Sequence, residues 1–155
     1  MTTRGLKSPE PLRVVFTKTL DLPSKSNLWN SNVAKTLVIY DSSTANEKFL
    51  SRIPQCVEVE KVSTDNPELI SRLLAKRGCN KVLWECGPRL ATSAVKSGCI
   101  NEIISFIAPK ILGGENSMNP FGDFEFQEMH EILELNESNI SFIGNDICVK
   151  SSLKN

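Results

Sequence analysis

Histidine is almost missing from this chain, and so are tyrosine, net charge and any long apolar run. The single histidine, His130, stands apart from five scattered cysteines: Cys56, Cys79, Cys86, Cys99 and Cys148. None of the five forms a C-x-x-C pair, so no zinc site of ordinary spacing is expected and no metal is assigned. One distant histidine also leaves a serine–histidine–acid triad unsupported and gives Cys86 no base that would make it a nucleophile. Eighteen basic residues cancel eighteen acidic ones. With no basic block, the surface has no electrostatic footprint for nucleic acid. No apolar run approaches the ~20 residues of a membrane span, and the opening TTRGLKSPEP lacks a signal-peptide core. A cytoplasmic chain with reduced thiols, no nucleic-acid partner and no membrane partner is the expectation.

What is present fits one domain: 155 residues can bury a reasonable core. Residues 1–11 read as an incoming loop. Residues 12–16 (LRVVF) form a buried-strand run, and a loop with turn chemistry follows through residue 32, with Trp29 as its anchor. Residues 36–40 (TLVIY) are a second strand. The polar cluster Asp41-Ser42-Ser43-Thr44 after it has two readings: an N-cap for a helix starting near Ala45, or hydroxyls for a cofactor phosphate. Residues 57–62 alternate as a half-exposed strand. Asp65-Asn66-Pro67 opens a helix through Lys76, with Leu69, Ile70, Leu73 and Leu74 on its apolar face and Arg77-Gly78 as its stop.

The stretch from 81 to 114, KVLWECGPRLATSAVKSGCINEIISFIAPKILGG, organises the rest. Residues 81–84 are of buried-strand length, and Glu85 stands at the strand's end. Pro88 suits the first position of a helix, which runs to Lys96 and closes at Ser97-Gly98. Residues 103–108 are a further strand, leaving through a loop that ends in Gly113-Gly114. The Cys86-Gly87-Pro88 turn puts backbone N–H groups at a helix N-terminus, a favourable place for phosphate and one that lowers the pKa of a thiol such as Cys86. Glu85, at a strand's carboxyl end, faces the crevice where α/β sheets bind ligands. The plainer reading makes Glu85 a solvated strand end and Gly87 a turn. After residue 114, runs at 140–143 and 147–151 flank Gly144-Asn145-Asp146 as a hairpin, so a largely parallel α/β sheet finishes antiparallel.

The pair of motifs Trp84-Glu85-Cys86-Gly87-Pro88-Arg89-Leu90 and Ile107-Ala108-Pro109-Lys110-Ile111-Leu112-Gly113-Gly114 resembles the pyrimidine reductase domain of riboflavin biosynthesis. That domain is the C-terminal half of the bifunctional riboflavin deaminase-reductase. The resemblance runs from Met1 to about Ser152. It implies a dihydrofolate-reductase-like three-layer sandwich, with a mostly parallel sheet and a C-terminal antiparallel hairpin. The implied reaction is NADPH-dependent reduction of 5-amino-6-(5-phosphoribosylamino)uracil to its ribitylamino form. Glu85 matches the family's substrate-contacting glutamate, and Met1 and Arg4 match substrate-side positions. Gly87, Pro88, Arg89, Leu90, Ala91, Thr92 and Ser93 match its dinucleotide segment. Thr17-Lys18 stands where the family commonly has aspartate-serine, so Lys18 either meets a cofactor phosphate or is a solvated loop lysine. Arg89 likewise has two readings, the cofactor's 2′-phosphate or solvent.

The family's opening strand and its zinc deaminase domain have no counterpart here, so the resemblance implies a single partial reductase domain over residues 1–155. Two rival functions stay open: a non-catalytic remnant that keeps a dinucleotide crevice, or another dihydrofolate-reductase-like reductase. Association of family members through their sheets implies a homodimer.

Overall fold

A computed structural model describes residues 10–114 and 119–153. The chain divides into two compact units, Met1–Asp65 and Asn66–Asn155.

In the first unit, β1 (Arg13–Thr17), β2 (Thr36–Asp41) and β3 (Glu58–Val62) pair in the order β1-β2-β3, all parallel. β2 has neighbours on both sides, and all six of its residues are buried. That burial explains why it reads as an unbroken apolar run rather than an alternation. Val38 and Tyr40 pack with Leu20 and Val57, and Val15, Leu22, Trp29, Phe49 and Ile53 close round them. Trp29 anchors its loop as expected, its Nε1 donating to the Pro23 carbonyl at 2.8 Å. Under the same loop, the buried guanidinium of Arg13 donates to the carbonyls of Asn27 at 3.0 Å, Asn30 at 2.7 Å and Ala34 at 2.5 Å.

The expected helix near Ala45 is corrected. A 3-10 helix runs instead over Glu47–Arg52, and its cap is Asn46, whose Oδ1 accepts from the Lys48 N–H. Asp41 is drawn away from capping because its Oδ1 accepts from both the N–H and the hydroxyl of Ser43. Such local Asx turns compete with a helix start.

The second unit opens with α1 (Pro67–Lys76), capped by Asn66 and ended at Arg77, with Gly78 at φ +86°. Ile70 and Leu74 are buried, but Leu69 is 47% exposed, so the apolar stripe is narrower than expected. α2 (Pro88–Lys96) lies against α1. β4 (Glu102–Ile107), β5 (Leu135–Ile143) and β6 (Asp146–Leu153) form an antiparallel sheet in the order β4-β6-β5. The hairpin between β5 and β6 forms where expected, with Gly144 at φ +62° as the first of its two turn residues, the glycine position of a type II′ turn. The fold is thus α/β, with a parallel sheet of three strands and an antiparallel sheet of three.

The strand expected over residues 81–84 is a second correction. Those residues are irregular, and Val82 and Leu83 are 38% and 68% exposed. A strand exists only with a hydrogen-bonded neighbour. Among the described residues this segment has none.

Candidate functional site

The chemistry-bearing turn sits at the start of α2. Gly87 is the N-cap residue, with extended backbone and no side chain capping the helix, and Pro88 opens the first turn. The turn closes through the Ala91 N–H to the Gly87 carbonyl at 3.0 Å. Gly87 is exposed, a Cβ there would meet nothing within 4 Å among the described residues, and the positive end of a helix dipole favours an anion. Glu85 lies two residues ahead of this cap and is exposed. Cys86 between them is half-buried, and burial pushes its thiol pKa up. The direction is opposite to the expected lowering, and its cause is desolvation of the thiolate.

Along α2 the matched residues have different surroundings. Arg89 is exposed, while Leu90, Ala91 and Ser93 are half-buried. Thr92 is buried, and its Oγ1 accepts from the Gly122 N–H at 2.8 Å. The same N–H lies 3.2 Å from the Pro88 carbonyl. Gly122 therefore fastens the segment after residue 118 to the first turns of α2. Phe124 stacks on Phe126 at 5.1 Å there, and the Lys96 ammonium stands 3.6 Å from the Glu125 carboxylate. Sequence reasoning passed over Gly122; the Asn119-Pro120-Phe121-Gly122-Asp123 turn was its only local signal. The loop carrying the second motif is fully open to solvent. Ile111 and Leu112 are 101% and 94% exposed, and Gly113 and Gly114 both have positive φ.

Lys18 belongs to the first unit, just beyond β1 at the carboxyl edge of the parallel sheet. Its Nζ lies 2.5 Å from Asp65 Oδ2. That contact, a charge-assisted hydrogen bond first of all, holds the Asp65 carboxyl below its usual range. Sequence reasoning missed Asp65 as a partner, having read it only as a helix-start residue. Met1 and Arg4 lie outside the described residues.

Comparison with known proteins gives a consistent answer. Residues 1–149 match the family model of the RibD C-terminal domain. Riboflavin biosynthesis protein RibD of Synechocystis sp. is 38% identical over 148 residues, spanning 94% of this chain and 40% of that protein. RibD of Acinetobacter baumannii superposes with a TM-score of 0.73 at 21% identity, covering 94% of this chain and 38% of its own. A Thermotoga maritima deaminase/5-amino-6-(5-phosphoribosylamino)uracil reductase superposes with a TM-score of 0.69 at 20% identity, over 99% of this chain and 40% of that one. These likenesses give the dihydrofolate-reductase-like fold. The chain spans well under half the length of each of these relatives.

Proposed function

The chain belongs to the RibD C-terminal domain family, and on that premise we propose that it is an oxidoreductase of riboflavin biosynthesis. The proposed reaction reduces 5-amino-6-(5-phosphoribosylamino)uracil to the ribitylamino form with NADPH. When bound, the nicotinamide supplies the hydride, which goes to the first carbon of the ribose; the protein binds, orients and excludes water. The open N-terminus of α2 suits a dinucleotide phosphate, and the exposed Arg89 adds a cationic fork beside it. Glu85 orients the ribose hydroxyls or moves a proton as the ribose opens. Met1 and Arg4 serve the substrate side, and Lys18 a phosphate. Thr92, buried against Gly122, shapes the turn from beneath.

The observation that carries this reading is the exposed Glu85 directly ahead of an uncapped helix N-terminus, inside a stretch matched to the family. The test is NADPH oxidation by the full chain in the presence of the phosphoribosylaminouracil, with NADH as comparison. Substrate-dependent oxidation favouring NADPH supports the reading.

A second reading, a non-catalytic relative that keeps a dinucleotide crevice, is favoured by one observation. Residues 81–84, which lead into Glu85, belong to neither sheet among the described residues, so no ladder holds the carboxylate in place. Saturable NADPH binding without turnover is its signature.

We also propose a homodimer. One face of the antiparallel sheet presents Ile107, Ile140 and Phe142, each more than half exposed, and such a patch suits a like surface. No helix of the described residues is long and apolar enough to cross a membrane, and all five cysteines are free. The cytoplasm is the compartment we propose for it.

A further inference from the structure

We propose that residues 119–126 are a strap that sets the first turn of α2, and that Gly122 is a positioning residue for cofactor binding there. This deepens the function proposed above and rests on it. The strap is fastened at both ends of the helix. At the start, the single N–H of Gly122 is shared between the Thr92 hydroxyl oxygen at 2.8 Å and the Pro88 carbonyl at 3.2 Å. Pro88 and Thr92 stand about one helical turn apart, so one donor pins both ends of that turn. At the finish, the Lys96 ammonium stands 3.6 Å from the Glu125 carboxylate and 5.9 Å from the centre of the Phe124 ring. That exposed pair contributes little. The bond on the buried Thr92 is the one that fixes the strap.

The strap has a defined shape. The Glu125 N–H donates to the Asp123 carboxylate at 2.7 Å, and Glu125 itself is held at φ +61°. A residue with a side chain keeps that conformation only where its surroundings impose it. The stacked rings of Phe124 and Phe126 stiffen the same few residues. At position 122 a Cβ would lie 3.5 Å from Thr92 Oγ1 and 3.7 Å from the Pro88 carbonyl oxygen. One carbon is tolerated there, whereas a branched side chain crowds the helix and pushes the strap away.

Pro88 has no N–H, so the free donors of this turn include the N–H groups of Arg89 and Leu90. Their direction follows the first turn, and the strap sets that turn. Gly122 need touch no cofactor atom: it acts through Pro88 and Thr92.

The experiment titrates the full chain with NADPH by fluorescence, as wild type, Thr92→Val, Thr92→Ser and Gly122→Val. Hydrogen exchange of the residue-122 amide and urea stability are followed alongside. Thr92→Val keeps the shape of the side chain and removes the acceptor. It is expected to speed exchange at residue 122 and to raise the NADPH Kd about two- to tenfold, as one lost hydrogen bond would. Gly122→Val is expected to raise the Kd likewise, and Thr92→Ser to bind as the wild type does. In turnover the loss falls on KM for NADPH and not on kcat. A Thr92→Val chain that loses urea stability but binds NADPH as the wild type does overturns the positioning role and leaves the functional reading intact. So does a Thr92→Ser chain as weak as Thr92→Val. A wild type that binds no NADPH fails the functional reading, and the positioning role falls with it.

Discussion

β2 and β5 are both β-strands, yet every residue of β2 is buried and eight of the nine in β5 are exposed. β2 is the middle strand of a parallel sheet, with a partner on each edge and the core cluster of Leu20, Val57 and Trp29 around it. β5 is an edge strand of an antiparallel sheet. The two also differ in what they leave available. The first unit buries most of its apolar side chains and carries exposed ion pairs at Lys18–Asp65, Arg52–Asp21 and Lys61–Glu47. The second leaves Phe142, Ile140, Leu83 and Glu85 at the surface, where they can meet something else. By this contrast, substitutions in the first unit tell on stability and those in the second on activity and association.

The sharpest test is the same substitution in both sheets. Ile39→Ala in β2 removes a fully buried side chain and is expected to cost about 2–5 kcal/mol in urea unfolding. Ile140→Ala in β5, 66% exposed, is expected to cost under about 0.5 kcal/mol. Similar losses from the two would break the contrast. Next in size is Glu85→Gln, expected to lower kcat by roughly a hundredfold while leaving cofactor affinity and urea stability nearly unchanged. Unaltered turnover removes Glu85 from the mechanism. Phe142→Asp places a charge on the exposed apolar face and is expected to weaken self-association by about tenfold or more. Sedimentation velocity over a concentration series reads this, and an unchanged distribution excludes that face as the interface.

The smallest effect is a titration. Tyr40 is the chain's only tyrosine, and its Oη lies 3.1 Å from Glu47 Oε1. Burial first, then the Glu47 carboxylate, push its phenol up. Lys61, whose Nζ is 2.7 Å from the same oxygen, is also pushed up, chiefly by that hydrogen bond. A raised native pKa means that the folded state binds its proton more tightly. The associated stability is therefore complete below the ordinary tyrosine and lysine range and is lost as pH rises through the native values. Phenolate absorbance should appear later in the folded chain than in urea. Coincident curves would show that Tyr40 is not shielded by the core.

Much of the fold was legible where the chain's own periodicity carries the information. β2, α1, α2 and the β5–β6 hairpin stand close to where apolar runs, Pro67, Pro88, Gly78, Gly98 and Gly144 place them. Residues 81–84 have the same apolar look as β2, but strand character is conferred by a neighbour and not by local composition. The cap at Asn46 lost out in the sequence to a denser cluster of hydroxyls four residues earlier. At the candidate site, the turn at Glu85, Gly87 and Pro88 was readable as a contiguous motif. The roles of Gly122 and Asp65 were not, because each acts on partners tens of residues away, Thr92 and Pro88 for Gly122 and Lys18 for Asp65.

Arg13 meters the connection that follows β1. One planar fork reaches the carbonyls of Asn27, Asn30 and Ala34, and its donors have a fixed spacing that a lysine's single ammonium cannot reproduce. The segment between Asn27 and Ala34 is therefore measured out by a ruler with one length. Insertions of a residue or two belong before Asn27, around Lys25, where the residues are exposed and the tie across them is the Trp29 indole on the Pro23 carbonyl rather than the Arg13 fork. Within the gauged stretch they leave a buried cation facing carbonyls that have moved away. For this molecule, tolerance to change in length is set by a side chain outside the loop whose length it governs.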